Sequence, residues 1–200
     1  MRHRACAAAI AIVLALTVAA PTAAQTAPAP APAGPTVDQL IALKRVGSPA
    51  ISPDGKLVAY TVREANWEEN AYETEIWIAD IAAGTTRQLT NSKKSSGSPK
   101  WSPDGARIAF TSDRSDKQQV WLIRPSFGEA EQLTHESEGV GSFDWSPDGR
   151  QIAFTMMDPK PEPWKDRDKK YGDFEIVDED QRLSHLWVID VESPKTRRLT

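Results

Sequence analysis

Cysteine is almost missing from these 200 residues: the one present, Cys6, lies in an apolar stretch close to the amino terminus. A chain with a single cysteine builds no internal disulfide, so an oxidising compartment would add no covalent staples. Histidine is nearly as scarce. His3, His135 and His185 are the whole supply, and they make no spacing suited to zinc. The pattern Gly-x-Ser-x-Gly does not occur. Gly47-Ser48-Pro49, Gly97-Ser98-Pro99 and Gly141-Ser142-Phe143 each fail it, which excludes a nucleophile elbow from this stretch. No Gly-rich phosphate loop follows a strand pattern. Positive charge is also short. The formal net charge is −4, and no basic stripe with interleaved aromatics marks a nucleic-acid surface.

The longest apolar run, Ala5 to Ala20, is shorter than the roughly 20 residues a membrane span needs. With Arg2 and Arg4 ahead of it and the small residues Thr22-Ala23-Ala24 behind it, it reads as a secretory signal peptide over 1–24. Loss of the two arginines with that leader would take the net charge from −4 to −6. Residues 25–35 alternate alanine and proline, the composition of an extended tether. Thr36-Val37-Asp38-Gln39 then opens a helix with a capping box. That helix is expected to run about three turns from Thr36 to Arg45, to stop near Gly47, and to dock its apolar face, Val37, Leu40 and Ile41, on the body of the protein.

From Ser52 to Thr200 one pattern is written three times. Ser52-Pro53-Asp54-Gly55 leads into Val58-Ala59-Tyr60-Thr61, then Ile76-Trp77-Ile78-Ala79, then Gln88-Leu89-Thr90. Trp101-Ser102-Pro103-Asp104-Gly105 leads into Ile108-Ala109-Phe110-Thr111, Val120-Trp121-Leu122-Ile123 and Gln132-Leu133-Thr134. Trp145-Ser146-Pro147-Asp148-Gly149 leads into Ile152-Ala153-Phe154-Thr155, Leu186-Trp187-Val188-Ile189 and Arg198-Leu199-Thr200. From the central tryptophan to the closing threonine the distance is 13 residues every time, whereas the distance from the turn serine to that tryptophan is 25, 19 and 41. Half of the unit is therefore of fixed geometry, and all length variation sits between its second and third strands.

Proline presets φ for the first central position of a turn, aspartate tolerates the second, and glycine takes the left-handed conformation after them. The flanks alternate apolar and polar and are rich in β-branched and aromatic residues. Each unit is a four-stranded antiparallel sheet of the kind that stacks into a β-propeller. The fold expected is all-β: a partial propeller of three blades, over about 46–90, 99–134 and 143–200, preceded by the leader, the tether and the short helix. Trp77, Trp121 and Trp187 are expected to fill the spaces between blades. The turn role accounts for all three aspartates, so no metal is assigned to them, and no cofactor is implied. The variable loops are Glu64–Asn70, Ser112–Gln119 and a long insertion, Asp158–Gln181. The insertion is proline-rich, then basic, then acidic, and reads as a solvated surface loop. His135 and His185 read as strand-end residues. Natural rings take about four to eight blades, so three blades read as part of a longer protein. The open face of the last one makes the isolated piece prone to association.

The repeat Trp-Ser-Pro-Asp-Gly, Ile-Ala-Phe-Thr, Val-Trp-Leu-Ile, Gln-Leu-Thr resembles the propeller repeat of secreted bacterial proteins, which two groups share. One is the prolyl oligopeptidase family of serine peptidases, where a propeller precedes an α/β-hydrolase domain. The other is the periplasmic propeller of the Tol system, a noncatalytic module that binds a protein or glycan. Three features are more similar to the first group, and to its acylaminoacyl-peptidase-like branch. They are the helix running straight into Val46-Gly47-Ser48-Pro49-Ala50-Ile51, the segment Trp67-Glu68-Glu69-Asn70, and the insertion ending Val177-Asp178-Glu179-Asp180. This resemblance implies a secreted or periplasmic enzyme that hydrolyses oligopeptides, with the propeller gating access and the triad in a C-terminal domain outside this chain. No catalytic position of the family carries over onto these residues. Dipeptidyl peptidases of that family hold a substrate amine with paired propeller glutamates, a role for which Glu68, Glu69 and Glu179 are the candidates here. The partner implied is an oligopeptide.

Overall fold

Each copy of the repeat folds as its turn chemistry dictates. The computed structural model describes residues 34–126, 128–172, 174, 176 and 181–200. The leader 1–24 and the tether up to residue 33 lie outside the described residues. The first blade is β1 (Arg45–Ile51), β2 (Leu57–Asn66), β3 (Ala71–Asp80) and β4 (Thr85–Gln88). The second is β5 (Ser96–Trp101), β6 (Ile108–Ser115), β7 (Lys117–Ile123) and β8 (Glu131–Gln132). The third is β9 (Phe143–Trp145), β10 (Gln151–Met157), β11 (Ser184–Asp190) and β12 (Thr196–Arg198). Every blade is a meander of antiparallel neighbours in sequence order.

The Ser-Pro-Asp-Gly turns join the first strand to the second by identical bonds. The serine Oγ accepts from the backbone N–H of Leu57, Arg107 and Gln151, at 2.9 Å in each blade. The glycine N–H donates to the serine carbonyl at 2.8, 2.9 and 2.9 Å, with glycine φ of 72, 72 and 70°. The aspartate Oδ1 accepts from the serine hydroxyl at 2.7, 2.6 and 2.6 Å, and from the N–H of Lys56, Ala106 and Arg150 at 3.1, 3.0 and 3.1 Å. Both bonds favour the ionised carboxylate. The serine bond first and the backbone bond second hold Asp54, Asp104 and Asp148 below the usual carboxylate pKa.

A depressed folded pKa stabilises the fold fully above the unfolded value of about 4, and that contribution is lost as pH falls through the folded values. Thermal melts between pH 5 and pH 2 should therefore fall more steeply for the wild type than for the triple variant D54N/D104N/D148N. The amide Oδ1 of that variant still accepts but does not titrate. Equal slopes would remove the claim.

The invariant 13-residue spacing is a closing corner. Thr90, Thr134 and Thr200 each turn Oγ1 toward the backbone N–H one residue before the central tryptophan, accepting from Ile76, Val120 and Leu186 at 2.9, 2.8 and 2.9 Å. In the first two blades the same hydroxyl donates onward, to Glu75 Oε2 and, at 2.7 Å, to Gln119 Oε1. Thr90 and Thr134 are buried.

Two apolar seams hold the blades together. Ala59, Ile76 and Ile78 of the first blade meet Ile108, Phe110 and Ile123 of the second. Ala109, Val120, Leu122 and Leu133 of the second meet Val140, Phe143, Ile152, Phe154 and Ile189 of the third. Alternation along each strand sends successive residues to opposite seams, which is why Val120-Trp121-Leu122-Ile123 has no polar member. Trp121 and Trp187 pack in the seams as expected, although their indole nitrogens find no partner among the described residues. Trp77 does not. It occupies the same position in the first blade and so points away from the second, outside either seam.

The seams also use two tryptophans that the repeat assigned only to the turn. Trp101 Nε1 donates to the Ala50 carbonyl at 2.9 Å, and Trp145 Nε1 to the Lys100 carbonyl at 3.2 Å. Each bond clasps one blade to the one before it.

Gly141 marks a close approach within the third blade. A Cβ there would lie 2.6 Å from Thr155 Oγ1, against 3.4 Å from Thr61 Oγ1 at the equivalent Gly47 and 3.9 Å from Thr111 Oγ1 at Gly97. Thr155 Oγ1 is itself held, accepting from the Ser142 N–H at 3.0 Å. Gly141→Ala should cost about 1–3 kcal/mol, as overpacking does. Gly97→Ala should lie near zero and Gly47→Ala between them, an order that thermal melts of the three variants check.

Several expectations are corrected. The capping box is real, with Gln39 N–H donating to Thr36 Oγ1 at 3.2 Å and Thr36 N–H to Gln39 Oε1 at 2.9 Å. The helix it opens, α1 (Val37–Ile41), has only five residues. Pairing of Arg45 with Arg63 draws the next residues into β1, so Gly47 is a strand residue and not a stop. Val37 and Leu40 are exposed, so the apolar face of α1 is largely undocked. Glu64, Ala65 and Asn66 belong to β2, not to a loop. The insertion is more than a solvated loop, because it holds a second helix, α2 (Glu162–Tyr171).

Candidate functional site

The hairpins between the second and third strands share one rim with the segments that link successive blades. At the first blade this rim forms a groove of about 600 Å³, lined by Glu69, Tyr72, Glu73, Lys93, Lys94 and Asp113 among others. Asn66 builds its edge. Its Oδ1 accepts from the N–H groups of Glu68 and Glu69 at 3.0 and 3.1 Å, and its Nδ2 donates to Glu73 Oε1 at 2.6 Å. Asn70, at φ 48°, completes the tight turn. Arg63 stacks 4.3 Å from the Tyr72 ring centroid and stiffens the same hairpin. On the far side, Ser92 N–H donates to Glu75 Oε1 at 2.8 Å and Ser95 Oγ accepts from Thr74 N–H at 3.1 Å, which fixes the segment that carries Lys93 and Lys94.

Of the three glutamates singled out from the sequence, Glu69 lines this groove. Glu68 sits beside it at the exposed hairpin tip, next to Trp67. Glu179 lies outside the described residues. The groove offers carboxylates and ammonium groups within one polar cleft, suited to a ligand that carries both charges or many amide groups.

The third blade carries a cluster that the sequence does not announce. His185 Nε2 lies 3.0 Å from Asp158 Oδ2, and a ring nitrogen lies 2.9 Å from an Arg198 guanidinium nitrogen. Arg182 pairs with Glu138 and donates to the Asp158 carbonyl. Asp158 N–H donates to the Leu183 carbonyl at 2.8 Å. These bonds pinch the insertion shut at its base, so β10 and β11 stay in register out to Met157 and Ser184. His185, two residues before Trp187, stands where the first blade has Glu75 and the second Gln119. Glu75 and Gln119 accept from the closing threonine of their own blade, whereas His185 is held by Asp158 and Arg198. His185 is therefore a clamp residue, and His135 is a linker residue exposed to solvent. Among the described residues no cluster of three or more His, Cys, Asp or Glu side chains could hold a metal ion, and no helix is long and apolar enough to cross a membrane.

Three four-stranded antiparallel sheets stacked face to face through apolar seams define a β-propeller, here represented by three of its blades. The model of the TolB β-propeller domain matches residues 41–179, and the chain belongs to that family. The propeller is related in sequence to that of a peptidase. Over 79 residues it is 37% identical to the uncharacterized peptidase YuxL of Bacillus subtilis, a match covering 40% of this chain and 12% of that protein. Among solved structures it resembles the Pyrococcus horikoshii acylaminoacyl peptidase, with a TM-score of 0.60 and 22% identity over 78% of this chain and 25% of the other. It also resembles a TolB-type protein of Agrobacterium tumefaciens, with a TM-score of 0.54 and 23% identity over 79% of this chain and 49% of that one. The chain thus spans a small part of the peptidases it matches and about half of the TolB-type protein.

Proposed function

We propose that this chain is the substrate-gating propeller of a secreted or periplasmic serine peptidase of the prolyl oligopeptidase family that hydrolyses oligopeptides. The observation that carries this reading is the 37% identity with a peptidase over 79 residues. A serine triad needs a nucleophile, a base within hydrogen-bond reach and a carboxylate that orients the base. The present residues offer no nucleophile elbow, and His185 is already engaged by Asp158 and Arg198. The share of the reaction assigned to them is admission and orientation. Packed blades do not yield to a folded protein, whereas an extended peptide can pass their rim. In this reading Glu69, with Glu73 and Asp113, meets a peptide amine, Lys93 and Lys94 meet a carboxylate, and Glu68 flanks the entrance.

A noncatalytic module of the TolB type, binding a protein or glycan, is the second reading, favoured by the family model over residues 41–179. One experiment separates the two. The 200-residue chain should take no label from a serine-reactive fluorophosphonate and release nothing from acyl-peptide or prolyl reporters. The full-length gene product that contains it should do both. A full-length product inert in both assays would overturn the peptidase reading and leave the binding module.

A further inference from the structure

Each blade sets a charged residue 12 places after its turn serine: Glu64, Arg114 and Asp158. In the first and third blades the fold itself answers the charge. Glu64 pairs with Lys44, and Asp158 with His185 and Arg198. Arg114 is not answered. Its Nε donates to Ser112 Oγ at 3.0 Å and its Nη2 to Ser96 Oγ at 2.8 Å. Its Cζ lies 4.9 Å from the Trp121 ring centroid and 5.4 Å from that of Phe110. These partners are all neutral, and among the described residues no carboxylate forms an ion pair with Arg114. The charge of Glu75 reaches it, but Glu75 is already engaged: Oε2 accepts from the Thr90 hydroxyl and Oε1 from the Ser92 N–H. Burial pushes the guanidinium below its ordinary pKa, and Glu75 opposes this only in part. A half-buried cation without a counter-ion destabilises a fold, and groups of this kind gather at binding sites. Its place fits one. Ser112 Oγ donates to the Ser95 carbonyl at 2.9 Å, and Ser95 and Asp113 both line the rim groove. Phe110 and Trp121 belong to the first seam, so Arg114 caps that seam at its groove end.

We propose that Arg114 is the carboxylate anchor of this groove, and that the open N–H groups of its guanidinium receive a peptide carboxylate, C-terminal or side-chain. Ser96 and Ser112 are 0% and 2% exposed, so the fork is fixed from behind before a ligand arrives. A planar fork binds both oxygens of a carboxylate, whereas an amide offers it only one. Lys93 and Lys94 are exposed, and as flexible point charges they draw an anion in without fixing it. Glu69 and Glu73 remain for the amine end. The inference rests on the proposed function only in taking the ligand to be a peptide.

The test is calorimetric titration of the full-length gene product, treated with a fluorophosphonate so that no peptide is cleaved. Trialanine should bind about ten- to a hundredfold more tightly than trialanine amide, the span of a charge-assisted hydrogen bond. Arg114→Gln should erase the difference, Arg114→Lys should keep part of it, and Lys94→Gln should keep most. Ala-Glu-Ala amide tells the two sources apart, and either result supports the anchor. Binding as tight as that of trialanine admits a side-chain carboxylate; binding as weak as that of trialanine amide restricts the anchor to the C-terminus. Equal affinity for acid and amide, binding of neither, or a preference that survives Arg114→Gln overturns it. Should that variant fail to fold, phenylglyoxal modification of the wild type decides: trialanine must slow modification of Arg114, and trialanine amide must not. Fluorophosphonate labelling judges the peptidase reading separately. A product that takes no label yet prefers the acid keeps the anchor and loses the peptidase, and a labelled product with no preference does the reverse.

Discussion

Phe110→Ala should lower the unfolding free energy by about 3–5 kcal/mol, the range for emptying a large aromatic site in a core that only partly collapses. Phe110 is fully buried at the centre of the first seam, against Ile76 and Ile78 of the blade before it. The loss therefore falls on the contact between two blades as well as on one sheet. With total stabilities of about 5–15 kcal/mol, a change of this size is a large part of what a domain has. Trp67→Ala is the control. Trp67 carries a larger ring but is 61% exposed at the hairpin tip, and surface changes of that kind stay within about 0.5 kcal/mol. Denaturant melts of the two variants decide the matter. A Phe110→Ala midpoint close to that of Trp67→Ala would mean that the seam does not hold the blades.

Thr90→Val should cost about 2–3 kcal/mol, and Thr134→Val somewhat less. Valine keeps the shape of threonine and deletes the hydroxyl. In the first blade the hydroxyl accepts from the Ile76 N–H and donates to the Glu75 carboxylate. In the second it accepts from the Val120 N–H and donates to the neutral Gln119 amide oxygen. Both substitutions leave a buried N–H unpartnered, and bonds to carboxylates are worth more than bonds to amides. The order of the two costs is thus the sharper part of the expectation. Chemical denaturation of both variants measures it, and equal losses would show that the carboxylate adds nothing to the corner.

Much of the blade was legible because its determinants are local. A turn of serine, proline, aspartate and glycine has few conformations open to it, and strand alternation marks what must be buried. Even the constant 13-residue spacing had its cause within one sheet, the threonine that caps the backbone beside the tryptophan. What escaped was set by neighbours. Trp77 reads the same as Trp121 and Trp187, but whether an indole lies in a seam depends on which blade stands in front of it. The roles of Trp101 and Trp145 as cross-blade donors depend on carbonyls 51 and 45 residues away in the chain. Arg45 suits a helix, but pairing with Arg63 of β2 outweighs that preference. In the insertion, Pro161 and Pro163 read as loop composition, although proline is tolerated where helix N–H groups have no partner anyway, and Pro161 caps α2. The candidate groove was half visible. Glu69 was in view, but Lys93, Lys94 and Asp113 come from other segments, and only the stacking of blades brings them to it. The joining of Asp158 to His185 spans 27 residues and left no periodic trace.

The clasp between blades has one more consequence. Its acceptor is main chain, so the residue that offers it is under no chemical obligation: alanine does so at position 50 and lysine at position 100. Successive blades can therefore drift apart in surface character, one neutral and one cationic, while the hinge pin that fastens them stays unchanged. A scaffold of this kind lets a lineage redecorate the side chains along its inner strands without renegotiating how the parts hold together.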